Sequence, residues 1–166
     1  MTRSLGPALT NALVERFSQC DLPRRLGIGL PFVTVDADGR PHPMLLSYLE
    51  LKAYDARTVG LVILARSRSA RNLVERGTGT LLAVEPDATV YVKLRAVDGP
   101  LAVEGGDEFG LGYFLLEVDE VLEDAAADWE AGMRITAPIR YEPAPTLAEP
   151  WARATLTALA APRARA

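Results

Sequence analysis

IGLPFVTVDADGRPHPMLLSY, residues 28–48, decides the fold. Two apolar, β-branched runs flank DADG (36–39), where Asp38-Gly39 reaches positive φ at little cost, so the segment reads as a β-hairpin. Pro41 and Pro43 fall at the start of the second run, where a strand needs no ladder donor. That second strand is expected to continue through RPHPMLLSYLELKAY, residues 40–54. DART (55–58) then turns the chain into VGLVILA (59–65), apolar on both faces and therefore central. TLLAVE (80–85) and TVYVKLRAV (89–97), joined by PDA, form another hairpin, with Val90, Val92 and Leu94 alternating. GYFLLEVDEVLED (112–124) supplies the last strand.

Hairpin punctuation dominates, and no strand–helix–strand rhythm recurs, which disfavours a parallel doubly wound sheet. The expected fold is mainly β (α+β): one domain, residues 1–166, built on a six-stranded antiparallel barrel at about 28–124. Flanking helices are expected at 5–19, where Leu9, Leu13 and Phe17 share a face, and at about 146–161, with Leu147, Trp151, Leu156 and Leu159. A short helix over about 69–76, closed by Gly77, is inserted after the central strand.

Composition removes several functions. The 166-residue chain is 49% hydrophobic and 24% charged, an ordinary globular balance. A net charge of −4 argues against nucleic-acid binding through phosphates. One cysteine, Cys20, read as a small buried or helix-end residue, precludes an internal disulfide framework and suits a reducing cytoplasm. One histidine, His42, precludes a Cys/His metal cluster and reads as a surface residue at a strand mouth. The N-terminal stretch carries Asn11 and Glu15 and lacks a continuous apolar run, so it reads as neither signal peptide nor membrane span. There is no P-loop, no complete GxGxxG and no GxSxG elbow. The acids of EVDEVLEDAAADWE (117–130) alternate with Val118, Val121 and Leu122 as a solvated strand face does, and no metal site is expected. Trp129 and Trp151 are expected to seal core.

LARSRSARNLVERG (64–77) is the stretch with chemistry in it. Ser67 or Ser69 can cap the helix, whose first-turn amides carry partial positive charge. Arg68 and Arg71 stand at the same end with forked donors for a phosphate. Hydroxyls, amides and guanidiniums together make a phosphate cradle; the same residues would also serve as a solvated basic face.

The order of TVDADGRPHPMLLSY (34–48), an apolar strand, and SRSARNL (67–73) resembles the FMN-binding split-barrel family of pyridoxamine 5'-phosphate oxidase and its relatives, over about residues 28–122. The resemblance implies a six-stranded split barrel, a homodimer with flavin at the subunit interface, and FMN as cofactor of an oxidoreductase. It puts Met44, Leu45, Leu46, Ser47 and Tyr48 on the strand passing the isoalloxazine, and Val62 and Ile63 on the neighbouring strand end. It puts Ser67, Arg68 and Ser69 at the phosphate, with Arg71 or Arg66 restoring the charge lost where Ser69 replaces the family's lysine. Arg68 is then expected to contribute most to phosphate binding. The tail RITAPIRYEPAPTLAEPW (134–151) has no histidine, so the pyridoxamine-phosphate substrate motif is not matched and the substrate is left unassigned. The other readings are a dimer that binds a ligand without turnover, or a deazaflavin- or haem-binding relative, the last weakened by the single imidazole.

Overall fold

The computed structural model of the chain describes residues 2–124, 129 and 134–164. Strands β1 (Thr2–Gly6), β2 (Gly29–Val35), β3 (Pro41–Ser47), β4 (Leu51–Ala53), β5 (Thr58–Leu64), β6 (Thr78–Glu85), β7 (Ala88–Ala102) and β8 (Leu111–Asp124) make one antiparallel sheet. Its order is β3-β2-β6-β7-β8-β5-β4, with β1 added on β8. Among the described residues four α-helices accompany it, α1 (Asn11–Phe17), α2 (Leu22–Arg25), α3 (Arg68–Arg76) and α4 (Pro150–Ala158), with one short 3-10 turn at Asp107–Phe109. The end of the acidic stretch (125–128 and 130) and the last two residues lie outside the described residues.

The turns follow from their side chains. Gly39 takes φ +82° in the DADG hairpin while Asp38 accepts the Arg40 amide at 3.2 Å. Asp55 closes the DART turn by accepting the amides of Arg57 and Thr58 at 2.7 and 2.8 Å, an Asx arrangement. The sheet curls on itself. Phe32, Leu46, Leu51, Leu61, Leu81, Leu94 and Leu116, drawn from seven strands, surround a residual void of only about 10 Å³. The barrel interior is packed core, as in other small barrels.

The antiparallel barrel with flanking helices stands as expected, but the strand count rises from six to eight. The run 40–54 divides because residues 48–50 turn away from β3: the Gln19 side-chain amide donates to the carbonyls of Tyr48, Leu49 and Leu51 at 3.0–3.2 Å and holds the bend. The N-terminal helix starts at Asn11 rather than residue 5. Gly6 has φ +101°, Pro7 follows it, and Thr10 caps the helix by accepting the Leu13 amide. Residues 2–6 instead cover β8 at 121–124, beyond the part that β5 pairs, and so remove a bare sheet edge. Leu9, Leu13 and Phe17 are buried together as the helical spacing predicts. Cys20 is exposed in the turn after α1. Trp151 packs partly buried against the core, whereas Trp129 is 81% exposed and seals nothing.

One polar cluster pins the helices to the barrel. Glu85, at the end of β6, is only 6% exposed and receives Arg16 at 2.8 Å from α1, Arg25 at 3.4 Å from α2, and the Tyr48 hydroxyl. The Tyr48 ring stacks on Phe17 and lies under the Arg25 guanidinium. Burial and the Glu85 carboxylate both push the Tyr48 hydroxyl well above its ordinary pKa, so it stays a donor. Removing one partner leaves charge buried and uncompensated. Glu85→Ala is therefore expected to cost about 3–5 kcal/mol in urea unfolding. Glu123→Ala, which breaks the exposed pair with Arg3, should barely move the midpoint.

Candidate functional site

α3 is amphipathic for a plain reason: Ser69, Ala70, Asn72 and Leu73 face the barrel, and Arg68, Arg71, Val74 and Glu75 face out. Ser67 caps it, its hydroxyl accepting the Ala70 amide at 3.1 Å, and Gly77 ends it at φ +70°. With that cap in place the amides of Arg68 and Ser69 have no acceptor within the helix and point out of its start. Two grooves flank this end. The first, about 320 Å³, is lined by Asp36, Asp38, Arg68, Arg71, Asn72 and Glu75. The second, about 330 Å³, is lined by Ala65, Arg66, Ser67, Arg71, Val74 and Glu75 among others.

Their electrostatics differ. In the first groove three carboxylates oppose two guanidiniums. Asp36 sits at its base, accepting from Asn72 Nδ2 at 3.0 Å and facing Arg68 at 3.4 Å and His42 Nδ1 at 3.9 Å. The Asn72 hydrogen bond first, then the charges of Arg68 and His42, hold the Asp36 carboxyl below its ordinary pKa. Asn72 is itself buried and also donates to Thr34 Oγ1 at 3.0 Å, so the carboxylate is built in from two sides. Arg68 thus has a carboxylate partner in its own chain, across a largely exposed contact. The second groove holds Arg66 and Arg71 against Glu75 alone. Glu75 in turn pairs with Arg76 at 2.7 Å. Among the described residues neither Arg66 nor Arg71 forms an ion pair, so the free positive charge lies here, beside the helix start.

The expected site residues separate into two groups. Ser67, Arg68 and Arg71 come together at the α3 N-terminus, while Ser69 is 1% exposed and turned against the barrel. Of the expected residues on β3 only Leu45 is well exposed (46%), with Met44 partly buried. Leu46 points into the barrel, Tyr48 belongs to the Glu85 cluster, and Val62 and Ile63 are each 1% exposed. Their side chains present no face to a ligand. What β3 does offer is backbone, because it ends the sheet order and, among the described residues, pairs only with β2. Ser47 lies at the β3 end, where its amide and hydroxyl are engaged by Glu50. The residues that sequence reasoning missed are Asp36, Asn72, Glu50 and Tyr141. Asn72 was signalled by its place on the inward face of α3, and Glu50 by being the one acid within LLSYLELKAY.

No protein-family model and no curated protein matches the chain. Solved structures do. An FMN-binding protein from Syntrophomonas wolfei subsp. wolfei aligns with TM-score 0.53 at 12% identity, over 70% of this chain and 90% of that one. A candidate pyridoxamine 5'-phosphate oxidase from Lactobacillus delbrueckii aligns with TM-score 0.54 at 17% identity, over 72% and 98%. HupZ of Group A Streptococcus aligns with TM-score 0.50 at 9% identity, over 80% and 99%. At such identities the likeness is one of fold, and this chain has the split-barrel fold of FMN-binding and pyridoxamine 5'-phosphate oxidase-like proteins.

Proposed function

We propose that this chain is an FMN-binding flavoprotein of the pyridoxamine 5'-phosphate oxidase-like type, a flavin-dependent oxidoreductase that works as a homodimer. The observation that carries the reading is the pair Arg66 and Arg71, in no ion pair among the described residues, beside the capped start of α3 in a groove that Ala65, Ala70 and Val74 also line. A phosphate monoester needs such a cationic end with free amides, and a flavin ring needs an apolar surface next to it. Val74, 59% exposed, lines that groove, Leu64, 57% exposed, precedes its Ala65 in the chain, and the outer edge of β3 offers amides and carbonyls to a polar ring edge. FMN, when bound, supplies the electron-transfer chemistry; the protein supplies the phosphate clamp, the apolar wall and the exclusion of water. Pyridoxamine phosphate is not the substrate we assign, since the tail lacks the histidine motif that goes with it.

A second copy of the chain is part of the proposal. Leu45, Leu64, Val74 and Val97 are all more than two-fifths exposed, and apolar surface of that kind is what a partner subunit covers. Exposed, unpaired Cys20 is compatible with a reducing cytoplasm, where we place the protein.

The arrangement of charges changes which arginine should matter. Arg68 is expected to contribute less than its position in SRSARNL suggests, and Arg71, which borders both grooves, more. In a flavin titration followed by fluorescence quenching, Arg71→Ala should weaken FMN about tenfold or more, the worth of one charge-assisted hydrogen bond. Arg76→Ala, at the far end of the helix and paired with Glu75, should leave affinity unchanged. Equal affinities for both variants would leave the basic end of α3 as a solvated face. Asp36→Asn keeps a hydrogen-bonding group opposite Asn72 but releases Arg68, so it should tighten FMN up to about fivefold and riboflavin not at all. Sedimentation at micromolar concentration should report a dimer; a monomer would remove the subunit interface from the proposal.

A further inference from the structure

Away from α3, the turn between β3 and β4 forms one side of a pocket of about 260 Å³ lined by Ser47, Glu50, Tyr141, Pro143, Pro145 and Trp151. Glu50 is the one charged residue in that lining. Its carboxylate is fixed by the chain's own backbone: Oε2 accepts the Ser47 amide at 2.7 Å and the Ser47 hydroxyl at 2.9 Å. The turn beneath is rigid, with the Glu50 amide on the Ser47 carbonyl, the Val62 amide on the Glu50 carbonyl, and the Gln19 side chain across it. Both of these side-chain hydrogen bonds go to Oε2. No buried polar side-chain atom among the described residues is without a partner, so Oε1 is reached by solvent, and the pocket is its opening.

Among the described residues this carboxylate has no counter-charge: no lysine, arginine or histidine stands within ion-pair distance, and burial raises its pKa with only the Ser47 hydrogen bonds acting against it. Glu85 shows the contrast, since it is buried with two guanidiniums on it. Around Glu50 the walls are two aromatic rings and two proline rings. The Tyr141 hydroxyl is close enough for its pKa to be raised by burial first and by the Glu50 charge second.

We infer that this pocket binds a small organic ammonium ion, an alkylated amine of about choline's size, with Glu50 as its counter-ion and Tyr141 and Trp151 as its aromatic walls. An anion is repelled by the carboxylate. A divalent metal needs several oxygen ligands, and one carboxylate among rings does not supply them. A neutral apolar molecule would seal an unpaired charge away from water. An alkylammonium ion satisfies both halves of the lining, because its diffuse charge attracts aromatic faces and carboxylate alike. The inference shares with the flavin reading only Ser47, at the end of the β3 edge, and uses no residue of the α3 grooves.

The test uses the full chain freed of any flavin, with choline as probe and 3,3-dimethyl-1-butanol as its uncharged counterpart of the same shape. Calorimetric or ligand-observed NMR titration should show choline binding at least about tenfold tighter than the alcohol, a difference of roughly 1.4 kcal/mol. Glu50→Gln keeps an acceptor for Ser47, so it should remain folded and abolish that preference. Trp151→Leu should weaken choline severalfold without restoring the alcohol. Equal binding of the two probes, unchanged preference in Glu50→Gln, or no choline binding by the wild type up to about 10 mM, an affinity weaker than roughly 3 kcal/mol, would overturn the inference.

Discussion

The N-terminal helices and the bend after β3 are tied to the barrel by one buried carboxylate. Glu85 ends β6 in the low-dielectric interior, and its charge is tolerable only because Arg16 and Arg25 come to it from α1 and α2 and Tyr48 comes from the turn after β3. That requirement brings three chain segments to one point. It places Phe17 against Tyr48, seats the N-terminal helices over one end of the barrel, and puts Gln19 where it can hold residues 48–51. The bend so fixed divides the long run after the first hairpin into β3 and β4, which then sit at opposite ends of the sheet order. Open on its outer side, β3 is left with the free backbone edge that the proposed flavin site uses.

Charge placement, more than charge count, distinguishes the two grooves at α3. A reading by motif puts weight on Arg68 because it follows the capping serine. The folded chain brings Asp36 from the hairpin to within 3.4 Å of it, fixed there by Asn72. A guanidinium beside a built-in carboxylate has part of its charge offset, so it should gain less from a phosphate. Among the described residues Arg66 and Arg71 have no such partner. The phosphate end of the proposed site therefore shifts around the helix start toward Ala65 and Val74, still within reach of the same first-turn amides.

How much of this the sequence revealed follows from the range of each interaction. Local signals were legible: the DADG and DART turns, a serine cap on α3 left between Ser67 and Ser69, the Gly77 stop, and the alternation through Val90, Val92 and Leu94 all depend on residues within a few positions. Strand count was not, because Thr2–Gly6 becomes a strand only by meeting β8, some 120 positions away in the chain. Side-chain direction within MLLSY was likewise hidden. Period-two alternation predicts that neighbours differ, but not that Leu46 and Tyr48 take the inward side while Leu45 keeps the outward one. Asp36 and Asn72 stand 36 positions apart, and nothing in either neighbourhood announces their hydrogen bond.

Two glutamates, Glu85 in the interior and the partly buried Glu50, show how a fold marks its own points of recognition. Burying a carboxylate is costly unless a partner and hydrogen bonds offset it. At Glu85 the chain supplies two guanidiniums and a hydroxyl, and the result is a strut with no group left to offer a ligand. At Glu50 it supplies two hydrogen bonds to one oxygen and no cation, leaving the other oxygen facing a pocket of rings. A chain that needed only to fold would be served by a glutamine in place of Glu50, which keeps an acceptor for Ser47 without the unpaired charge. Retaining the carboxylate sets the folded protein at a disadvantage that a cation entering the pocket would remove, and that imbalance is what directs attention to an ammonium ligand there.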